Sequence, residues 1–271
     1  MRSSSRCMVC AGSGQPYFCK NFNGELGLNR VDYWRCEACG FVYSKTHFDM
    51  NSSHWSDLNE RYHASYQGTG QNADDANWRD RLVAQQDVIT ILKERRTLPT
   101  TRPWLDWGAG DGSLSNLLRV NGIDLLNYDR FMSGKGFLPE KDLRPGHFDF
   151  VVTTSVFEHV MDIAVLDDIS GLVSSSGVLG LHTLVRENVP QDPGWFYLLP
   201  VHVSFFTNQS VEILFQKWGY VSSLYHVPSR LWFFFRNPEI DVHNVADAGN
   251  ATADAPVFFA KTGSFADYWK T

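Results

Sequence analysis

The segment Asp106-Trp107-Gly108-Ala109-Gly110-Asp111-Gly112 restricts this chain more than any other, because it sets three glycines at alternate positions between a short apolar run and a helical one. Glycine accepts left-handed backbone and leaves no side chain between the main chain and whatever lies against it. A strand that ends in such a turn and feeds a helix suits a nucleotide-type ligand at the helix start. Trp104 to Trp107 is the expected strand and Ser113 to Val120 the expected helix.

Downstream, short apolar runs alternate with helical periodicity. Ile123 to Tyr128, Phe148 to Thr153 and Val178 to Leu184 are expected strands; Ile163 to Val173 and Gln209 to Trp218 are expected helices; Tyr220 to His226 and Leu231 to Arg236 form a closing strand pair. The order predicts an α/β fold with a doubly wound, mostly parallel sheet and one antiparallel addition. Tyr128 and Phe148 stand too close for a full helix-strand-helix excursion, so the fold is expected to be abbreviated after its second strand.

Upstream, positions 74–96 carry a helical pattern. Asp74 and Asp75 fall in the first turn, Trp78, Leu82, Ile89 and Leu92 lie near one face, Arg95 and Arg96 close it, and Pro99 stops it. Trp55 to Tyr66 is a second helix, whose Tyr62, His63 and Tyr66 suit either a lid or core packing. The Ala-, Asn- and Asp-rich stretch 241–255 reads as irregular.

Four of the five cysteines form two C-x-x-C pairs, Cys7 with Cys10 and Cys36 with Cys39, joined by glycine-rich hairpin sequence. Four thiolates suit a tetrahedral, structural zinc ion, and a module of this size has too little core to fold without one. Cys19 is a packing residue by its spacing. With 43% apolar and 14% aromatic residues among 271, the chain can bury one sizeable core beside a small accessory unit. The expected division is a zinc-ribbon-like module at 1–46, a helical connector at 47–98, the main α/β domain at 99–240 and an irregular tail at 241–271.

Charge narrows the ligand of the glycine turn. Asp106 and Asp111 flank it, and two carboxylates beside a pyrophosphate repel it, whereas they suit a ligand carrying a cationic amino group and a sulfonium. The dinucleotide pattern G-x-G-x-x-G also fails, since Ser113 holds its third position. Asp129, at the end of the second strand, can accept hydrogen bonds from ribose hydroxyls, each charge-assisted contact contributing roughly 1.5 to 3 kcal/mol.

Asp106, Gly108, Gly110 and Gly112 match every specified position of D/E-x-G-x-G-x-G, and here the chain resembles the class I S-adenosylmethionine-dependent methyltransferases. The resemblance spans roughly positions 100 to 236. It implies a Rossmann-like methyltransferase domain with a sheet of the seven-stranded type, in which S-adenosylmethionine is held by Asp106, Gly108, Gly110, Gly112, Asp129 and Ser155. It also makes Phe148 to Val160 the fourth strand and the loop that borders the methyl group and its acceptor. The four-cysteine knuckle followed by Gly40-Phe41-Val42-Tyr43 resembles modules fused to methyltransferases of sugar and natural-product pathways, and others that precede ribosomal-RNA methyltransferases.

Methyl transfer is an in-line displacement, so the protein must align donor and acceptor and, for a hydroxyl, take up a proton. His159, His182 and Glu158 are the candidate catalytic residues. The Glu158-His159 pair is similar to one that recurs in this loop of methyltransferases acting on sugars and quinone precursors. In the quinone group it contributes to a divalent-metal site with an acidic residue three positions earlier; Ser155 stands there in this chain. His159 suits a base, an acceptor-binding group or a helix cap. His182 lies at the end of a strand, where open sheets present residues to ligands. The segment Arg186 to Pro200 suits an acceptor-pocket wall or plain aromatic packing, His202 a structural role, and Trp107 either a cation-π contact or core.

The expected function is O-methylation of a small polar acceptor, a sugar or secondary metabolite. The alternatives are a zinc-module-assisted RNA methyltransferase and a non-catalytic S-adenosylmethionine-binding protein. A net charge of −6 disfavours nucleic acid as a partner. With no apolar run of membrane length and no apolar leader, the expected setting is the cytoplasm, with no membrane partner.

Overall fold

A computed structural model describes residues 6–64, 77–132, 134, 136–251 and 253–267. In chain order the strands are β1 (Gly14–Asn21), β2 (Arg30–Cys36), β3 (Val42–Ser44), β4 (Trp104–Trp107), β5 (Leu126–Tyr128), β6 (Phe148–Thr154), β7 (Val173–His182), β8 (Val185–Arg186), β9 (Ser204–Thr207), β10 (Ser222–His226), β11 (Leu231–Phe235) and β12 (Phe258–Thr262). The α-helices are α1 (Lys45–Phe48), α2 (Ser52–Ala64), α3 (Trp78–Glu94), α4 (Ser113–Val120), α5 (Ile163–Leu172), α6 (Asn208–Lys217) and α7 (Val242–Asn250). The chain forms two compact units, one from positions 1–70, 157–163 and 184–214, the other from 71–156, 164–183 and 215–271.

The larger unit contains a seven-stranded sheet in the order β12-β10-β11-β7-β6-β4-β5. β5, β4, β6 and β7 pair in parallel, and β11, β10 and β12 follow in antiparallel pairs. The middle strands are nearly continuous apolar runs because both faces of the sheet are covered. Phe150, Val152, Val178, Phe233 and Phe235 pack with Val88, Ile89 and Leu92 of α3 and with Leu114 and Leu118 of α4. The abbreviated stretch after β5 holds a 3-10 turn at Glu140–Asp142 and an isolated parallel bridge from Asn127 to Phe137.

The tail departs from its composition. The span 241–271, expected to be irregular, contains α7 and the edge strand β12, which pairs with β10 along five residues. Asp241 caps α7 by accepting from the His243 and Asn244 amides, and Val242, Ala246 and Phe258 enter the main core. Sparse but correctly spaced apolar residues outweigh the polar remainder.

The smaller unit is built on a five-stranded sheet in the order β1-β2-β3-β9-β8. Val31, Tyr33, Val42 and Phe205 from its strands pack with Leu58 and Tyr62 of α2 and with Val189, Trp195, Leu198 and Val201. Within the segment Arg186 to Pro200, Val189, Trp195 and Leu198 are core, while the stretch Gln191 to Gly194 and Phe196 are exposed. Of the lid candidates, Tyr62 is a core residue, and Tyr66 lies outside the described residues. The helix expected over 74–96 is described from Trp78 onward; Asp74 and Asp75 lie outside the described residues. No helix among the described residues is long and apolar enough to cross a membrane.

Candidate functional site

In the larger unit, β4 delivers the glycine turn. Gly108, Gly110 and Gly112 all have left-handed backbone, with φ of 80°, 56° and 77°. Two of the three are also fixed by packing: a Cβ on Gly108 would meet Val156 Cγ2 at 2.4 Å, and one on Gly112 would meet Asn127 Nδ2 at 2.9 Å. A Cβ on Gly110 would meet nothing within 4 Å among the described residues. No atom of the described residues requires that glycine to lack a side chain. The space in front of it is where a ligand can approach the main chain.

Most amides of the turn are already engaged. Those of Gly108 and Ala109 donate to Tyr128 O, that of Gly110 to Asp129 Oδ2 at 3.0 Å, that of Gly112 to Ala109 O and that of Ser113 to Asp111 Oδ1. A pyrophosphate site needs such donors turned outward. Asp111, exposed beside the turn, accepts from the Ser113 amide and hydroxyl through Oδ1.

Asp129 is more committed than its sequence position implies. Its Oδ1 accepts from the Phe131 and Met132 amides and its Oδ2 from Gly110. Of the roughly four acceptor positions of a carboxylate, about one is left on Oδ2 for a ligand hydroxyl. Asp106 is buried beneath the turn, and its Oδ1 finds no hydrogen-bond partner among the described residues. Burial, and secondarily the charge of Asp129, raises its carboxyl to about 7. The neighbouring Asn127, opposite Asp106 in the β4–β5 register, also has a buried Oδ1 without a partner among the described residues. Two unsatisfied acceptors side by side call for a donor, which an ammonium or hydroxyl group supplies. Asn127 escaped the sequence reading, although a lone amide in the apolar run Leu125-Leu126-Asn127-Tyr128 was its signal.

At the ends of β6 and β7, Ser155 and His182 form a pair. Ser155 has a left-handed φ of 55° and is exposed. Its amide donates to His182 O at 3.0 Å and its Oγ lies 3.1 Å from His182 Nδ1. Burial, followed by the charges of Arg81 and Arg230, holds His182 well below the ordinary imidazole range, so it is neutral at cellular pH. Trp107 packs on Tyr128 with ring centroids 5.5 Å apart.

In the smaller unit the four expected metal ligands converge. Cys7 Sγ lies 3.6 Å from Cys39 Sγ and Cys10 Sγ 3.4 Å from Cys36 Sγ, with all four sulfurs within 4.8 Å of one another. Metal–sulfur bonds of about 2.3 Å in a tetrahedron set sulfur–sulfur edges near 3.8 Å, so the cage fits zinc. Cys19 stands apart on β1.

The same unit holds Glu158 and His159, on a 3-10 turn at Phe157–His159, and brings His202 to them. Glu158 is buried and accepts from Tyr197 Oη at 2.8 Å. The His159 ring centroid lies 4.9 Å from that of His202 and 5.3 Å from that of His63. Burial holds His159 well below the ordinary range and His202 at about 4, with His63 adding to both effects. Sequence separation concealed this grouping.

Residues 78–222 match the methyltransferase-domain family. No curated protein matches the chain. Among solved structures, a 1,6-didemethyltoxoflavin-N1-methyltransferase from Burkholderia thailandensis is 12% identical over 80% of this chain and 97% of its own, with a TM-score of 0.48. A magnesium protoporphyrin IX methyltransferase from Synechocystis, with bound S-adenosylhomocysteine, is 14% identical over 66% of this chain and 100% of its own, with a TM-score of 0.44. A SAM-dependent methyltransferase from Archaeoglobus fulgidus is 17% identical over 52% of this chain and 72% of its own, with a TM-score of 0.39.

Proposed function

The chain belongs to the methyltransferase-domain family, and we propose that it uses S-adenosylmethionine, held at the glycine turn of the larger unit, to methylate a hydroxyl of a small polar acceptor such as a sugar or secondary metabolite. The observation that carries this reading is Gly110: a left-handed glycine whose missing side chain no neighbour among the described residues demands, facing open space beside Asp129. Gly108, Gly110 and Gly112 let the main chain approach the nucleoside, the last acceptor position of Asp129 Oδ2 suits a ribose hydroxyl, and Asp106 offers an unsatisfied oxygen to the amino group. The bound cofactor supplies the electrophilic methyl group.

The protein's own contribution is alignment and proton uptake. His182 is neutral and tied to Ser155, so one imidazole nitrogen is engaged and the other serves a hydroxyl proton, while Ser155 borders the cofactor. The cysteine cage holds structural zinc.

Isothermal titration of the zinc-loaded protein with S-adenosylmethionine tests the donor half. Saturable binding that Gly110→Arg abolishes supports it, and absence of binding to the wild-type protein sinks it. For the proton step, His182→Ala should lower turnover on an accepted hydroxyl substrate by about 100-fold or more while leaving cofactor affinity intact. Equal turnover in the two proteins removes His182 from the mechanism.

A further inference from the structure

The cluster around Glu158 has the organisation of a metal centre apart from the cysteine cage. Its ligand atoms, one from each of Glu158, His159 and His202, lie within 4.8 Å of one another. The two segments that carry them are tied by main-chain contacts, since Val203 N donates to Glu158 O at 2.8 Å and Ser204 Oγ to Val160 O at 2.6 Å. Loop residues brought together by such ties are positioned before any ligand arrives.

Hydrogen bonding fixes which nitrogen of each ring carries the proton. His202 Nδ1 lies 2.9 Å from Tyr197 O, and a carbonyl only accepts, so Nδ1 is protonated and Nε2 keeps its lone pair. His159 donates to the Val201 main chain through one nitrogen, while its Nδ1, buried, has no partner among the described residues. Each imidazole thus donates to a backbone carbonyl on one side and presents a lone pair on the other. That is the arrangement metal-bound histidines adopt. Tyr197 Oη, donating to Glu158 Oε1, orients the carboxylate in the same manner.

We propose that Glu158, His159 and His202 bind one divalent first-row transition-metal ion, with the remaining coordination positions left to an exogenous ligand. Two imidazoles and one carboxylate select a borderline cation such as Zn2+, Fe2+ or Co2+ over Mg2+ or Ca2+, which take oxygen ligands. Metal–ligand bonds of about 2.0 to 2.2 Å require the three atoms to draw together by roughly 1 Å, a side-chain adjustment. His63, whose Nδ1 lies 2.8 Å from Asn59 O, stands beside the site as a neighbour to His159. The site stands on its own geometry, whether or not the methyl-transfer reading holds.

The test uses the full chain with zinc already in the cysteine cage, titrated with Co2+. One further equivalent should bind, with an absorption spectrum of nitrogen and oxygen ligation and no thiolate charge-transfer band. The wild-type Co2+ protein should show two paramagnetically shifted, solvent-exchangeable imidazole N–H resonances. Glu158→Gln and His202→Gln should lose the second equivalent and keep the cage zinc, which reports that the unit is folded. Tyr197→Phe should weaken binding by about 10- to 100-fold. A wild-type protein that takes up no second equivalent, or binds it without two shifted imidazole N–H signals, overturns the proposal, and so does retention of that equivalent in both variants.

Discussion

Replacing Gly108 and Gly110 separately by alanine tests the reasoning about the glycine turn, because the two sites share a backbone conformation and differ in what lies beyond it. Both hold left-handed φ, 80° and 56°, where an L-residue costs about 1 to 2 kcal/mol. A methyl at Gly108 also meets Val156 Cγ2 at 2.4 Å, and overpacking of this kind adds about 1 to 3 kcal/mol. At Gly110 nothing among the described residues lies within 4 Å. Gly108→Ala should therefore lose about 2 to 5 kcal/mol of stability and Gly110→Ala only about 1 to 2. In a domain of this size each kcal/mol is about 2 to 4 °C in melting temperature. Cofactor affinity should fall at Gly110 in addition to that loss. A methyl in the approach path is expected to raise Kd by about 10-fold or more, equivalent to about 1.4 kcal/mol. Thermal unfolding without ligand and isothermal titration with S-adenosylmethionine measure the two effects separately. If Gly110→Ala binds as the wild type does, or if the two variants are equally destabilised, the assignment of that space to the ligand is wrong.

Asp106 should give the ligand-free protein a distinctive pH dependence. Its folded carboxyl, at about 7, lies above the unfolded value of 3.8, so the folded state binds a proton that the unfolded state releases. The stability it contributes is complete below 3.8 and is lost as pH rises through about 7, a span corresponding to at most about 4 kcal/mol. Asp106→Asn should flatten this slope in denaturant titrations between pH 4 and 8, and an unchanged slope refutes the attribution. Cys36→Ser should leave the small unit without a stable metal, visible as loss of bound zinc in elemental analysis and faster amide exchange in β1 to β3; retained zinc at full stoichiometry would count against the cage. Phe258→Ala should cost about 3 to 5 kcal/mol in equilibrium unfolding, because this tail residue belongs to the main core. A change below 1 kcal/mol would show that β12 is dispensable.

The alternation of strand and helix was legible because local periodicity carries it. β4 and α4 occupy the residues expected of them, and the strands of the closing pair differ only at their ends, since each run is flanked by turn residues and nearly uniform in burial. The two C-x-x-C pairs and the glycine turn were likewise local signals, in which spacing alone dictates chemistry. What escaped the sequence was decided by contacts between distant segments. The tail joined the sheet because Val242, Ala246 and Phe258 find partners on strands far upstream. One oxygen of Asp111 turned to Ser113 and most of Asp129 to backbone amides, because unsatisfied donors in a tight turn compete with any ligand for nearby carboxylates. His202 gave no local sign of joining Glu158 and His159, as no periodicity links residues carried on separate loops. The amino-acid sequence by itself determined the elements, the glycine turn and the pairing of the cage cysteines. Tertiary structure alone decided which polar atoms were left unsatisfied, and those atoms set what each site can bind.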